Sequence, residues 1–244
     1  MTRHLIVNAD DFGQTSGINT GIAEAHERGI VTSASLMVRG AAAWEAARYA
    51  RAHPELSVGL HLDTGEWAYR GGEWQLEYAV VDTEDEADVA AEVDRQLEAF
   101  VVLTGRPPTH LDSHQHVHRR GPVRTAVRRR AARLGIPVRH LTPGITHCGD
   151  FYGQNGEGEP WPQGISADAL VALLRDLPEG WTELACHPGC GTAELTYGHE
   201  REEELAVLCS GAVAAALVEE AVVLRSFHHV TIEGDGIPQR DRAG

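Results

Sequence analysis

Two adjacent carboxylates, Asp10 and Asp11, lie shortly after an apolar run near the start of the chain. That run, residues 5–7, predicts a buried strand, and Gly13 then permits a sharp turn into a helix. Neighbouring strand residues point to opposite faces, so both carboxylates share a site only if the strand ends and the backbone turns there. Two such charges need a cation, hydrogen-bond donors or a shared proton. The alternative is that one of them only caps the helix.

Histidines follow three further predicted strands: His61, the group His114, His116 and His118, and His187. One aspartate with two neutral imidazoles is a donor set suited to zinc or another borderline divalent metal. A second aspartate could accept the proton of a water whose pKa the metal lowers, and a histidine opposite could protonate a leaving group. Together these residue types indicate a metal-assisted hydrolase.

Other interpretations of these histidines stay open. A single His61 in a strand is typical of a hydrogen-bonded core histidine, and the run from His110 to His118 could be a solvent-facing stripe that binds metal without catalysis. We expect His110 and His118 to be structural or to support ligands. Asp112 is the candidate to orient a ligand histidine, because metal-bound imidazoles usually donate their other N–H to a carboxylate or carbonyl.

The elements that must position these groups alternate along the chain. Seven strands are predicted, at residues 5–7, 30–38, 56–62, 109–113, 136–141, 181–186 and 221–227, with helices between them. This alternation predicts a parallel sheet covered by helices, either a closed barrel or an open doubly wound sheet. The polar clusters all fall at strand C-termini, where α/β barrels build their active sites. We expect one domain over residues 1–244, ending in a loose tail at 234–244.

Composition narrows the function further. The chain has 244 residues, of which 42% are hydrophobic and 23% charged, with a net charge of −15. Such a balance favours a globular protein with a sizeable core and disfavours nucleic-acid or membrane partners. We find no export signal, no membrane-spanning run and no glycine-rich phosphate loop after the first strand, so we expect a cytoplasmic protein that does not bind nucleotides.

Four segments in chain order resemble the motifs of the YdjC-like carbohydrate deacetylases: Asn8–Gly13, Gly59–Leu62, His110–His118 and Cys186–Gly189. The resemblance extends from residue 5 to residue 227. It implies a distorted (β/α) barrel of about seven parallel strands, related to polysaccharide deacetylases. It also implies one divalent metal ion, with zinc or magnesium expected.

The resemblance also implies roles for individual residues. Asp11, His61 and His114 match the metal ligands, Asp10 the general base and His187 the general acid. The implied reaction is hydrolysis of an N-acetyl group on a small amino sugar or chitooligosaccharide-type substrate, which releases acetate. Asp112 and His116 remain candidates for supporting residues or additional ligands, and the oligomeric state is open, with a homodimer as one option.

Two segments without clear periodicity, residues 64–83 and 142–165, differ from the family pattern and are expected to hold the sugar. Their aromatic side chains Trp67, Trp74, Tyr152 and Trp161 could stack on sugar rings or could simply pack the loops onto the barrel. Two rival functions also remain. One is a barrel-type metal-dependent phosphoesterase or amidohydrolase, and the other is a non-catalytic saccharide- or metal-binding protein.

Overall fold

A computed structural model describes residues 2–193, 195 and 197–232. Its strands are β1 (Arg3–Phe12), β2 (Ser33–Leu36), β3 (Ser57–Leu62), β4 (Gly65–Arg70), β5 (Glu73–Ala79), β6 (Leu111–Ser113), β7 (Ile145–Cys148), β8 (Gly180–Cys186) and β9 (Val222–Arg225). Its α-helices are α1 (Ser16–Glu27), α2 (Ala43–Ala52), α3 (Glu86–Thr104), α4 (Gly121–Leu134), α5 (Ala167–Arg175), α6 (Gly198–Leu208) and α7 (Gly211–Glu219). Short 3₁₀ segments cover His114–Arg119, Pro162–Ile165 and Phe227–His229.

The main sheet is parallel and runs in the order β6-β3-β2-β1-β8-β7, with β9 paired to the first half of β1. It curls into a half-barrel, so β6 and β7 lie at its two edges. The predicted parallel α/β barrel is therefore confirmed. The C-terminal ends of β1, β3, β6 and β8 carry the polar groups singled out in the sequence, as expected for such a fold.

Local signals in the sequence explain where the helices begin and end. Thr15 caps α1 by accepting a hydrogen bond from the Ile18 amide, and Asp85 caps α3. Gly105 and Gly135 end α3 and α4 in left-handed conformations that glycine adopts without strain. The helices pack their apolar faces onto the sheet, whose inner strand β1 is buried along almost its whole length.

The predicted strand at residues 136–141 is wrong. Only Val138 pairs there, through a single bridge to Leu111 of β6. The chain then turns, with His140 at a φ of 61°, and the next strand is β7 at Ile145–Cys148, inside the segment predicted to be a loop. The β-branched residues 136 and 138 favour a strand, but the turn at His140 ends it after one paired residue.

Residues 64–83 were predicted to be a binding loop without clear periodicity. The structure instead shows an antiparallel hairpin of β4 and β5 within this segment. Gly71 and Gly72 form its turn, both with positive φ. Every residue of β5 is exposed, although Trp74, Leu76 and Tyr78 alternate with polar residues at the period of a strand. The glycines and acidic residues of the segment favour a loop, which explains why the hairpin was not predicted.

Among the described residues, no helix combines the length and apolar character needed to cross a bilayer. The tail predicted at residues 234–244 lies outside the described residues.

Candidate active site

Asp10 and Asp11 lie side by side at the C-terminal end of β1 because the strand bulges there. The register of β1 against β2 shifts between Ala9 and Phe12, and Asp11 has a φ of 65°. A non-glycine residue in this left-handed region costs on the order of 1–3 kcal/mol, and such strain clusters at functional sites. The bulge turns both carboxylates, 3% exposed, toward the same group of side chains.

Asp11, His61 and His114 form a compact cluster of metal-ligand type. Asp11 Oδ1 lies 3.4 Å from His61 Nε2 and 3.2 Å from His114 Nδ1, and the three candidate ligand atoms lie within 4.8 Å of one another. They come from the ends of β1 and β3 and from the turn after β6. One carboxylate oxygen and two imidazole nitrogens on this scale fit a divalent cation such as zinc.

Asp112 holds His61 in place. Its Oδ1 lies 2.8 Å from His61 Nδ1, which leaves Nε2 to face Asp11. Burial alone would lower the pKa of His61, but the charges of Asp112 and Asp10 outweigh it and raise the pKa to about 10. Burial would also lower the pKa of His114, but its contacts with the Asp11 and Glu66 carboxylates outweigh burial and raise the pKa to about 9. The surrounding carboxylates therefore favour positive charge at this position, whether it is carried by protons or by a metal ion.

Arg139 pairs with Asp10 through two hydrogen bonds, of 2.6 and 2.7 Å. The same guanidinium also contacts Asp112 at 2.9 Å and Glu183 at 2.7 Å, and all four side chains are buried. Burial would raise the pKa of Asp10, but Arg139 outweighs it and lowers the pKa to about 2. Asp10 is thus held as an oriented carboxylate, able to accept a proton.

Arg201, from α6, donates to Asp11 Oδ2 at 2.5 Å. Burial raises the pKa of Asp11, but Arg201 and the hydrogen bonds from His114 and His61 lower it well below its usual value. Asp11 is therefore ionised, as a ligand must be, and its second oxygen is fixed by Arg201.

His187, at the end of β8, faces Asp10 from the other side. Its Nε2 lies 3.9 Å from Asp10 Oδ2, and its Nδ1 lies 3.8 Å from Glu204 Oε1. The Glu204 carboxylate also accepts hydrogen bonds from the backbone amide of His187, at 2.5 Å, and from Tyr197. His187 is partly exposed, and Tyr152 packs against its ring. This geometry positions an imidazole next to Asp10 where it can contact a ligand.

A cavity of about 510 Å³ opens above these residues. It is lined by Asp10, Asp11, His61, His114 and His187, together with aromatic residues of the surrounding loops. Its volume falls within the range of small-molecule sites. The cavity therefore brings together all five residues for which the resemblance implied a direct role in catalysis or metal binding.

Three of the four predicted aromatic contacts reach this cavity: Trp67, Trp74 and Tyr152 line it. The two tryptophans lie on the hairpin and are about half exposed, 48% and 56%. Gln115 exchanges two hydrogen bonds with the Trp67 backbone, which ties the hairpin to the turn that carries His114. Trp161 is not among the described residues that line the cavity, and its amide donates a hydrogen bond to Gly153 O.

Sequence reasoning also missed residues that control the site. Arg139 and Arg201 fix the two aspartates, and Glu204 contacts His187. A charged residue directly after the apolar positions 136–138 was a usable signal for Arg139. Arg201 and Glu204 gave no such signal, since both belong to a strongly charged helix that reads as solvent-exposed. His116 lies apart from the Asp11 cluster and instead approaches His140 and His147.

Comparison with known proteins places these features in a family. The family model for YdjC-like proteins matches residues 4–219. A carbohydrate deacetylase of Geobacillus stearothermophilus is 35% identical over 93% of this chain and 98% of its own length. A chitooligosaccharide deacetylase of Serratia marcescens is 33% identical over 93% of this chain and 99% of its own.

Solved structures share the fold. A putative cellobiose-phosphate cleavage protein of Enterococcus faecalis superposes with a TM-score of 0.75 at 25% identity, covering 93% of this chain and 98% of its own. A family 4 carbohydrate esterase of Streptomyces lividans, solved with acetate, gives a TM-score of 0.57 at 15% identity, covering 98% and 97%. At that lower identity the likeness concerns the fold alone.

Proposed function

Because the chain belongs to the YdjC-like family, we propose that it is a metal-dependent deacetylase acting on a small N-acetylated amino sugar or chitooligosaccharide. The observation that carries the proposal is the juxtaposition, in one cavity, of the Asp11, His61 and His114 cluster with the ionised Asp10. The names of relatives that share a third of its residues support the same class of reaction.

The donor set fits the implied metal. Asp11 is ionised, and Asp112 fixes the tautomer and direction of His61. Asp11, His61 and His114 would hold the divalent ion, which would supply Lewis acidity toward an amide oxygen and would lower the pKa of a water molecule. Zinc is favoured by the two nitrogen donors, and magnesium is the alternative where more water completes the coordination.

Asp10 is the proposed general base. Its carboxylate is kept ionised and oriented by Arg139, and it takes a proton from the water that attacks the acetyl carbon. His187, 3.9 Å from Asp10, is the proposed general acid, and it donates a proton to the sugar nitrogen as the C–N bond breaks. The oxygen of water ends in acetate, and the sugar leaves as a free amine.

The hairpin supplies the proposed sugar contacts. Trp67 and Trp74 present exposed faces to the cavity from β4 and β5, and Tyr152 lies on the opposite loop next to His187. Aromatic faces stack on the apolar faces of pyranose rings and bury large areas with little conformational cost. Binding through rings rather than charges agrees with a neutral saccharide substrate for a chain of net charge −15.

The test is acetate release from N-acetylated mono- and oligosaccharides, by the chelator-treated protein and after adding back Zn²⁺ or Mg²⁺. We expect turnover of at least one saccharide that chelation abolishes and metal restores. Release from no member of the panel would refute the deacetylase. Release unaffected by exhaustive chelation, with metal removal verified by elemental analysis, would refute metal dependence. A parallel panel of sugar phosphates tests the phosphoesterase alternative.

A further inference from the structure

Three histidines outside the catalytic cluster converge on one point at the rim of the barrel. His116 follows β6, His140 lies in the turn before β7, and His147 lies on β7. One ring nitrogen from each lies within 4.8 Å of the other two. None of the three is needed in the reaction proposed above.

The ring geometry favours a common ligand over simple packing. The centroids of His116 and His140 are 5.0 Å apart, those of His140 and His147 are 4.1 Å apart, and those of His116 and His147 are 5.6 Å apart. The interplanar angles range from 58° to 84°, so the rings present edges rather than stacked faces to one another. Tilted rings can direct their nitrogens at a shared centre, which stacked rings cannot.

Each ring has a buried nitrogen without a hydrogen-bond partner in the described structure: His116 Nδ1, His140 Nε2 and His147 Nδ1. A buried polar atom left unpaired has lost its hydrogen bonds to water without replacement, so three such atoms on three neighbouring rings call for a ligand. Glu183 Oε2 lies 3.9 Å from His147 Nδ1 and adds a carboxylate to the surroundings. His116 and His147 also line the large cavity, which provides a path for a small ion.

We propose that His116, His140 and His147 form a second divalent-cation site, for zinc or a similar borderline ion. A set of three imidazoles is a zinc donor set, while magnesium prefers oxygen. Tetrahedral zinc holds its ligands about 3.3 Å apart at bond lengths near 2.0 Å, so modest ring rotations close the cluster. His116 and His140 both have left-handed backbones, at φ 55° and 61°, which is strain of the kind found at ligand sites.

The position of this site suggests what it does. Its histidines come from the two edges of the curled sheet, next to β6 and on β7. Among the described residues, β6 and β7 do not pair with each other. The bridge of Val138 to Leu111 joins the chain after α4 to the β6 edge only. A cation held by these three residues would therefore link the edges of the barrel and fix the turn that carries His114.

The test counts bound metal in untagged protein. After chelation, Zn²⁺ is titrated by calorimetry, and metal content is measured after desalting. We expect two equivalents in the wild type, one in H140Q/H147Q and one in D11N/H61Q, where only the catalytic cluster is altered. Two equivalents in H140Q/H147Q, or none in D11N/H61Q, would overturn the second site.

A measurement on the unmutated protein guards against variants that fail to fold. Histidines are modified with diethylpyrocarbonate with and without Zn²⁺, and the modified residues are identified by mass spectrometry. We expect Zn²⁺ to protect His140 and His147 at least tenfold, while His53, which lies outside both clusters, reacts equally in both samples. Equal reactivity of His140 and His147 with and without Zn²⁺ would mean that only water fills the cluster, and the proposal would be wrong.

Discussion

Replacing Asp10 by Asn separates catalysis from metal binding, because Asp10 adjoins the cluster of Asp11, His61 and His114 without being one of its three proposed ligands. The amide keeps the size of the side chain but cannot accept the proton of the attacking water. Removing a general base costs about 10²- to 10⁴-fold in turnover. We expect kcat for acetate release to fall by that factor, while bound metal stays at the wild-type level because Asp11, His61 and His114 are intact.

The D10N substitution should also lower the free energy of unfolding, by an amount that follows from the pKa of Asp10. The pKa of Asp10 falls from 3.8 to about 2 in the folded protein, which corresponds to about 2 kcal/mol of stabilisation at neutral pH. Because the folded-state pKa is the lower one, this contribution is present above pH 4 and disappears as the pH falls toward 2. D10N should therefore lose about 2 kcal/mol at pH 7, which is less than the stability of a typical domain. Arg139 keeps Asp112 and Glu183 as partners.

The measurements are kcat by acetate release, metal content by elemental analysis and unfolding by denaturant at pH 7. D94N is the matched control, since Asp94 is an exposed carboxylate that pairs with Arg130 and does not line the cavity. D94N should therefore keep full turnover. A D10N protein with kcat within tenfold of wild type would refute Asp10 as the base. Loss of metal together with activity would instead make Asp10 a ligand.

Three further changes have defined outcomes. Burial lowers the pKa of His110 to about 4, so below pH 6.5 the unfolded chain binds a proton that the folded protein does not. From pH 7 to pH 5, the free energy of unfolding of the wild type should therefore fall by about 2 kcal/mol more than that of H110Q. Equal losses in the two proteins would contradict this. A Cβ on Gly59 would lie 2.5 Å from the His110 ring, so G59A should destabilise the fold by about 1–3 kcal/mol by denaturant unfolding, whereas G156A, in open space, should change it by under 1 kcal/mol. W67A should raise KM for the saccharide several-fold with kcat nearly unchanged, and an unchanged KM would exclude Trp67 from substrate binding.

Most of the parallel sheet was predictable because its strands are buried on both faces and read as apolar runs between helix signals. Strand β1 and the carboxylates that follow Ala9 are the clearest case. The strand predicted at residues 136–141 failed because a local run of β-branched residues cannot reveal the turn at His140. The hairpin was missed although residues 73–78 alternate polar and apolar side chains, because the glycines and acidic residues around them are typical of a loop.

The catalytic candidates were predictable to a different extent. A local pattern identifies four of them, because charged or imidazole side chains follow apolar strands whose ends meet at one edge of the sheet: Asp10, Asp11, His61 and His187. Contacts between residues that are distant in the sequence leave no such local pattern. Nothing within the sequence near Asp11 indicates that Arg201, 190 positions away, holds one of its oxygens, and the position of Trp161 outside the cavity depends on how its loop packs.

The hairpin of β4 and β5 has a consequence for how such a protein diverges. Its second strand is entirely exposed, and its connections to the barrel include the hydrogen bonds of Gln115 with Trp67 and of Tyr78 with Asp63. Substitutions in this strand remove little buried area and so cost little folding free energy. Substitutions in the hairpin can therefore change the side of the cavity that faces the proposed saccharide, while the barrel and its carboxylates stay the same. Exchanging the hairpin between relatives is a direct way to alter substrate preference.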